Sequence, residues 1–159
     1  MTSVVSAFSN NTLELYRPAA NLSKQYYPIY TCKVAAGFPS PTDDCVDQSL
    51  DLNEYLINNP TSTFFLRVKG NSMNGAGIHD GDVLVVDRSV TPSDGKIVIA
   101  VVNGETTVKR LKINQTPGAP ASTATVLLLP ENPEYKAIKI TPEMAFTVWG
   151  VVTSIVRKL

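Results

Sequence analysis

A chain of 159 residues with 14 basic and 14 acidic side chains has a formal net charge of zero; it fits one domain plus an arm or tail, and carries no overall electrostatic pull toward nucleic acid. One histidine, His79, and two cysteines, Cys32 and Cys45, are too few for a metal cluster or a disulfide framework, so the cysteines read as free thiols, with a single disulfide as the alternative. Residues 1–12 lack the basic start and apolar run of a secretory signal, and no apolar stretch reaches spanning length, so the expectation is a soluble cytoplasmic protein without metal or cofactor.

In chain order, residues 1–42 are rich in Asn, Ser, Thr, Pro and Tyr and show no sustained period. Pro18, Pro28, Pro39 and Pro41 interrupt any helix or central strand. Leu13, Leu15, Tyr16, Tyr26, Tyr27, Ile29 and Tyr30 are too apolar for a free tail. The segment is expected to be an extended arm that docks on a surface, its own or a partner's. A second region, residues 43–159, is expected to form the domain proper.

Asp43–Asn59 is the predicted helix, with Leu52, Tyr55 and Leu56 at i, i+3, i+4. Asp51 followed by Glu54 has the spacing of a capping box, and Asn58-Asn59-Pro60 ends the helix. From Thr61 onward the pattern is that of strands. These are Ser62–Lys69, Asp82–Arg88, Lys96–Val102, Glu105–Ile113, Thr123–Leu129 and Phe146–Arg157. Asn103-Gly104 is a strong two-residue hairpin turn. The fold class is therefore mainly β: a compact antiparallel domain with an extended N-terminal arm and one short helix.

The chemistry concentrates on two residues. Ser72 follows Gly70 and Asn71 in a Gly-rich loop, which exposes a hydroxyl and presents backbone N–H groups. A serine becomes a nucleophile only when a base takes its proton, and a lysine serves only when neutral, which burial in apolar surroundings promotes. Strand alternation puts Lys109 on one face with Thr107, Leu111 and Ile113, apart from Arg110 and Lys112. Taken alone, a serine in such a turn is an ordinary turn residue, and a strand lysine is ordinarily solvated. Lys109, Arg110 and Lys112 together read as a solvated strand face. His79 is an alternative base, although beside Asp80 and Gly81 it reads as a turn residue.

Gly70-Asn-Ser-Met73, Gly77-Ile-His-Asp-Gly-Asp82 and Val108-Lys-Arg-Leu111 together resemble the LexA/UmuD family of self-cleaving serine peptidases. Tyr27-Pro-Ile-Tyr30, Ala36-Gly-Phe-Pro-Ser-Pro41, Leu50-Asp-Leu-Asn53, Asp94–Ala100 and Val148–Val152 extend the resemblance over residues 27–159. It implies a β domain of the family's C-terminal type and a Ser72–Lys109 dyad, with the backbone amides of Asn71 and Ser72 as oxyanion donors. It also implies a substrate within the chain, the Ala36–Gly37 bond. The implied setting is the SOS response to DNA damage. A RecA-type recombinase filament on single-stranded DNA stimulates cutting, and the shortened homodimer joins a UmuC-like Y-family polymerase for translesion synthesis. The residues before Ala36 are too few, too proline-broken and too poor in Lys and Arg for a helix-turn-helix, which favours the UmuD-type branch over the repressors and sequence-specific DNA binding. The alternatives are a non-enzymatic β interaction module and a truncated LexA-like repressor.

Overall fold

The computed structural model describes residues 15–18, 23–30, 47–115, 117–120 and 123–159. Cys32, Cys45, Ala36 and Gly37 lie outside the described residues. By internal packing the chain forms two units, one of residues 19–58 and one of residues 1–18 with 59–159.

Among the described residues, the larger unit holds an eight-stranded antiparallel sheet. Its strands are β1 (Leu15–Tyr16), β4 (Thr63–Arg67), β5 (Val83–Asp87), β6 (Ile97–Val102), β7 (Glu105–Asn114), β8 (Thr125–Leu129), β9 (Ile138–Lys139) and β10 (Phe146–Val156). Their spatial order is β1-β4-β5-β10-β6-β7-β8-β9. The six strands expected after Thr61 are all present, with ends that differ by a residue or two. The β6–β7 turn is the expected Asn-Gly pair, both residues left-handed at φ 51° and 84°, as a hairpin matched to strand twist requires. The long strand β10 is central, pairing with β5 on one side and β6 on the other, and a register shift interrupts each pairing. The second shift brings Gly150 so close to β5 that a Cβ there would stand 2.6 Å from Val86 Cγ1.

Alternation along β6 separates two cores. Ile99 belongs to the first, with Phe64, Leu66, Ile78, Leu84, Val86, Val108 and Trp149, whereas Val98 and Ala100 belong to the second, with Leu111, Leu128 and Val151. Both faces of the middle strands are therefore covered. Leu66, Ile78, Leu84, Ile99 and Leu128 are fully buried, each worth about 1.5–3 kcal/mol relative to exposure. The described part of the arm in this unit adds β1 to the sheet edge, pairing Leu15 with Leu66 and Tyr16 with Phe65. Beside it the Arg17 guanidinium stacks over the Phe64 ring at 5.2 Å. The Phe64 ring meets Trp149 edge-on at 5.1 Å, and Arg88 stands over Trp149 at 5.0 Å.

The smaller unit corrects the helix expectation. Among the described residues of the predicted range, 47–59, only α1 (Leu52–Leu56) is helical. Residues 47–50 form a strand, β3 (Asp47–Leu50), that pairs antiparallel with β2 (Tyr27–Tyr30). The reason is local: apolar spacing supports only Leu52, Tyr55 and Leu56, and Asp51 starts the helix rather than sitting within it. Its carboxylate accepts from Asn53 N at 2.7 Å and Glu54 N at 3.3 Å, and from Gln25 N at 2.7 Å. The Gln25 bond, with the other backbone donors, holds the Asp51 carboxyl below its usual range. Glu54 does not close a capping box; its carboxylate pairs with Lys24 at 2.5 Å. Thus β3, grouped on sequence grounds with residues 43–159, pairs with β2, and α1 falls in the same unit. No helix among the described residues is long and apolar enough to cross a membrane.

Candidate active site

Ser72 lies in the loop from Gly70 to Asp82 that joins β4 to β5, and the loop is fastened at both ends. At its base, Val68 N donates to Asp82 O at 2.8 Å and Gly81 N to Val68 O at 2.9 Å. Gly70, at φ +96°, turns the chain into the loop, and its N–H donates to Asp80 Oδ1 at 2.6 Å. A short 3-10 turn over Asn74–Ala76 follows the serine, and Met73 and Ile78 bury their side chains in the first core. That anchoring explains why a polar, Gly-rich loop is held in one shape.

The second half of the site comes from β7. Lys109 Nζ is 2.9 Å from Ser72 Oγ, although the residues are 37 positions apart in sequence. The amine also donates to Thr107 Oγ1 at 3.0 Å and to Val108 O at 2.9 Å. The lysine is 7 % exposed, and among the described residues it has no ion-pair partner. Burial without a countercharge pushes its pKa down from the usual lysine range. Lys109 lies opposite Val98 in the β6–β7 register and on the face of Leu111. The two faces of β7 differ less than alternation suggests, because Val108 on the other face is equally buried in the first core. Arg110 and Lys112 are not a free basic patch: Arg110 pairs with Glu131 and donates to Gly95 O at 2.7 Å, and Lys112 pairs with Asp94 at 2.9 Å.

An open cleft of about 390 Å³ runs beside the pair, lined among others by Val68, Gly70, Met73, Thr106 and Val108. His79 is not part of it. Its N–H donates to Asp82 Oδ2 at 2.7 Å, and its Nδ1 lies 2.6 Å from Arg157 Nη2. Arg157 grips the buried Asp82 through two bonds of 2.6 Å. The Arg157 hydrogen bond is the main reason the Asp82 carboxyl stays below its usual range, against the opposing effect of burial. Among the described residues, no three His, Cys, Asp or Glu side chains are grouped as a metal ion would need.

Residues 129–135 contribute contacts that sequence reading missed. Glu131 N donates to Ser72 O at 2.8 Å, Gly75 N donates to Glu131 O at 2.7 Å, and Asn132 Nδ2 donates to Asn71 O at 2.9 Å. Asn132-Pro133 marks a turn, but nothing in its spacing says which loop it meets. Among the described residues the N–H groups of Asn71 and Ser72 make no hydrogen bond.

Residues 28–153, well over half of the chain, match the family model described as Peptidase S24-like. The chain belongs to the peptidase S24-like family. Within that wider group it is 45 % identical over 127 residues to Protein MucA of Salmonella typhimurium, covering 79 % of this chain and 81 % of the relative. Protein ImpA of Shigella flexneri is 42 % identical over 146 residues, 90 % of this chain and 93 % of the relative. The LexA repressor of Delftia acidovorans is 38 % identical over 125 residues, 79 % of this chain, and the match spans 52 % of the repressor. The mainly β, antiparallel architecture agrees with membership of this family.

Proposed function

We propose that this S24-family protein cuts its own arm, residues 1–42, at Ala36–Gly37, with Ser72 as nucleophile and Lys109 as general base. The observation that carries the reading is the 2.9 Å contact between Ser72 Oγ and a buried lysine amine without a countercharge. A lowered pKa enlarges the fraction of neutral amine, and only the neutral amine accepts a proton. The Ser72 hydroxyl proton passes to Lys109 Nζ as Oγ bonds to the Ala36 carbonyl carbon. Backbone amides of Asn71 and Ser72 receive the resulting oxyanion. The Ala36–Gly37 C–N bond then breaks, and the Lys109 ammonium returns the proton to the Gly37 amine. Water hydrolyses the remaining ester and restores Ser72.

Val34-Ala-Ala-Gly37 is small and unhindered, which suits the modest cleft beside Ser72. A tethered substrate reaches high effective concentration, so a single-use reaction proceeds from a modest site. Family membership and the relatives MucA and ImpA support the biological reading. The protein is a cytoplasmic SOS-response component whose cutting is stimulated by a RecA-type filament. The processed homodimer, residues 37–159, serves a UmuC-like Y-family polymerase in translesion synthesis.

Incubating purified protein over a range of pH, with and without an activated recombinase filament, tests the chemistry. Intact mass is expected to show the 37–159 product, and neither Ser72→Ala nor Lys109→Ala is expected to yield it. Cutting by either variant, or no product from wild type under any condition, overturns the proposal.

A further inference from the structure

The contact between residues 129–135 and the Ser72 loop bears on how the oxyanion donor is aimed. In a trans peptide the C=O and N–H of the shared plane point in opposite directions. Fixing the carbonyl of one residue therefore fixes the N–H of the next. The Asn71 carbonyl is held by Asn132 Nδ2 at 2.9 Å, with Asn74 N more distant at 3.4 Å. The N–H in that plane is Ser72's own, and it makes no hydrogen bond among the described residues. The adjoining plane is also held, since the Ser72 carbonyl accepts from Glu131 N at 2.8 Å. Asn132 is itself braced: its Oδ1 accepts from Glu134 N at 3.0 Å, leaving Nδ2 turned to Asn71. Glu131 ties the same segment to Arg110, the neighbour of Lys109 on β7.

We propose that Asn132 is a positioning residue for the cleavage reaction, holding the Asn71–Ser72 peptide in the orientation that points the Ser72 N–H at the developing oxyanion. This inference rests on the Ser72–Lys109 reading and extends it to a residue that touches neither the substrate nor the dyad side chains. Without Asn132 the Asn71 carbonyl keeps, among the described residues, only the longer contact from Asn74 N at 3.4 Å, and the donor is present but poorly aimed. Outright loss of an oxyanion donor costs about 10²- to 10³-fold in rate. Loss of its support is expected to cost less, roughly tenfold.

Two variants separate aiming from turn stability. Asn132→Asp keeps an oxygen for Glu134 N but removes the donor to Asn71, and Asn132→Ala removes both. Self-cleavage rates of the full chain are measured across pH, with melting temperature as a check on folding. Both variants are expected to reach a plateau roughly tenfold below wild type, and the pH midpoint of Asn132→Ala is expected to match wild type, since Lys109 is untouched. An Asn132→Asp plateau equal to wild type would assign Asn132 a turn-capping role alone and overturn the inference. So would a deficit in Asn132→Ala that disappears at high pH, because the base rather than the oxyanion donor would then be affected. If Asn132→Ala fails to fold, the Asp variant decides. These outcomes leave the dyad standing, whereas a wild-type chain that never cuts, or a Ser72→Ala chain that does, removes the dyad and this inference together.

Discussion

Of the charged groups buried in the larger unit, Asp82 and Lys109 are treated in opposite ways. Asp82, 2 % exposed, meets a guanidinium through two bonds of 2.6 Å and a backbone N–H at 2.7 Å. Lys109, 7 % exposed, meets two hydroxyls and a carbonyl, none of them charged. The first arrangement favours the ionised form and fastens the end of β10 to the loop that carries Ser72. The second disfavours the ionised form and leaves the amine ready to change state. A matched buried charge holds structure together, whereas an unmatched one has a cost in stability and is retained where its reactivity is used.

The sharpest way to break this contrast is to remove the lysine. Lys109→Met is expected to reduce self-cleavage by at least about 10³-fold, while raising the melting temperature by a few degrees. The stability sign follows from linkage. Burial lowers the folded-state pKa below the unfolded value, so the penalty is fully present below the folded pKa and is relieved as pH rises toward the unfolded value. Wild-type stability should therefore gain on Lys109→Met as pH rises through that window, and the cleavage rate of wild type should climb over the same approach to the lysine pKa. A variant less stable than wild type at neutral pH would show that the amine is matched after all. Gly75→Ala comes next. A Cβ there would stand 2.5 Å from the Glu131 carbonyl oxygen, so the contact with Ser72's loop must open. A loss of about 2–3 kcal/mol in urea unfolding is expected, with slower cutting.

Arg157→Met tests the matched group. Asp82 would remain buried with one backbone donor, so the variant is expected to be less stable than wild type. Since the Asp82 pKa is depressed when folded, the pair's contribution is present above the unfolded carboxylate pKa and is lost as pH falls through the lower folded value. The variant should therefore lose this acid-limb dependence in thermal melts. Thr107→Val should have the smallest effect. Losing one hydroxyl that supports the ammonium is expected to move the midpoint of the cleavage profile to lower pH and slow the plateau by about threefold. An upward shift would mean that Thr107 does not support the charged amine.

What was legible in the sequence was whatever depends on near neighbours in the chain. Six strands, the Asn103-Gly104 hairpin and the cap at Asp51 are set by alternation, left-handed turn preference and a short-range carboxylate. The Ser72–Lys109 pair was legible through motif resemblance, and strand alternation placed Lys109 with Leu111 correctly. The helix over 43–59 was overextended because β3 gains its strand form by pairing with β2, a contact no local period announces. The pairing of Val98 with Lys109, the Arg157–Asp82 clamp and the support of Asn71 by Asn132 all join residues far apart in sequence. Such contacts follow from topology, which single-chain periodicity does not carry.

The stack of Arg17, Phe64, Trp149 and Arg88 has an optical consequence. Trp149 is the chain's sole tryptophan, and the Phe64 ring it meets edge-on lies beneath the guanidinium of Arg17. At that edge β1 pairs with β4 through Leu15 and Tyr16, and Arg17 adds a cation–π contact of about 0.5–1 kcal/mol. One indole thus stands as a built-in fluorophore next to the ring that Arg17 covers, so its emission is expected to report, without a label, on any rearrangement at the N-terminal strand.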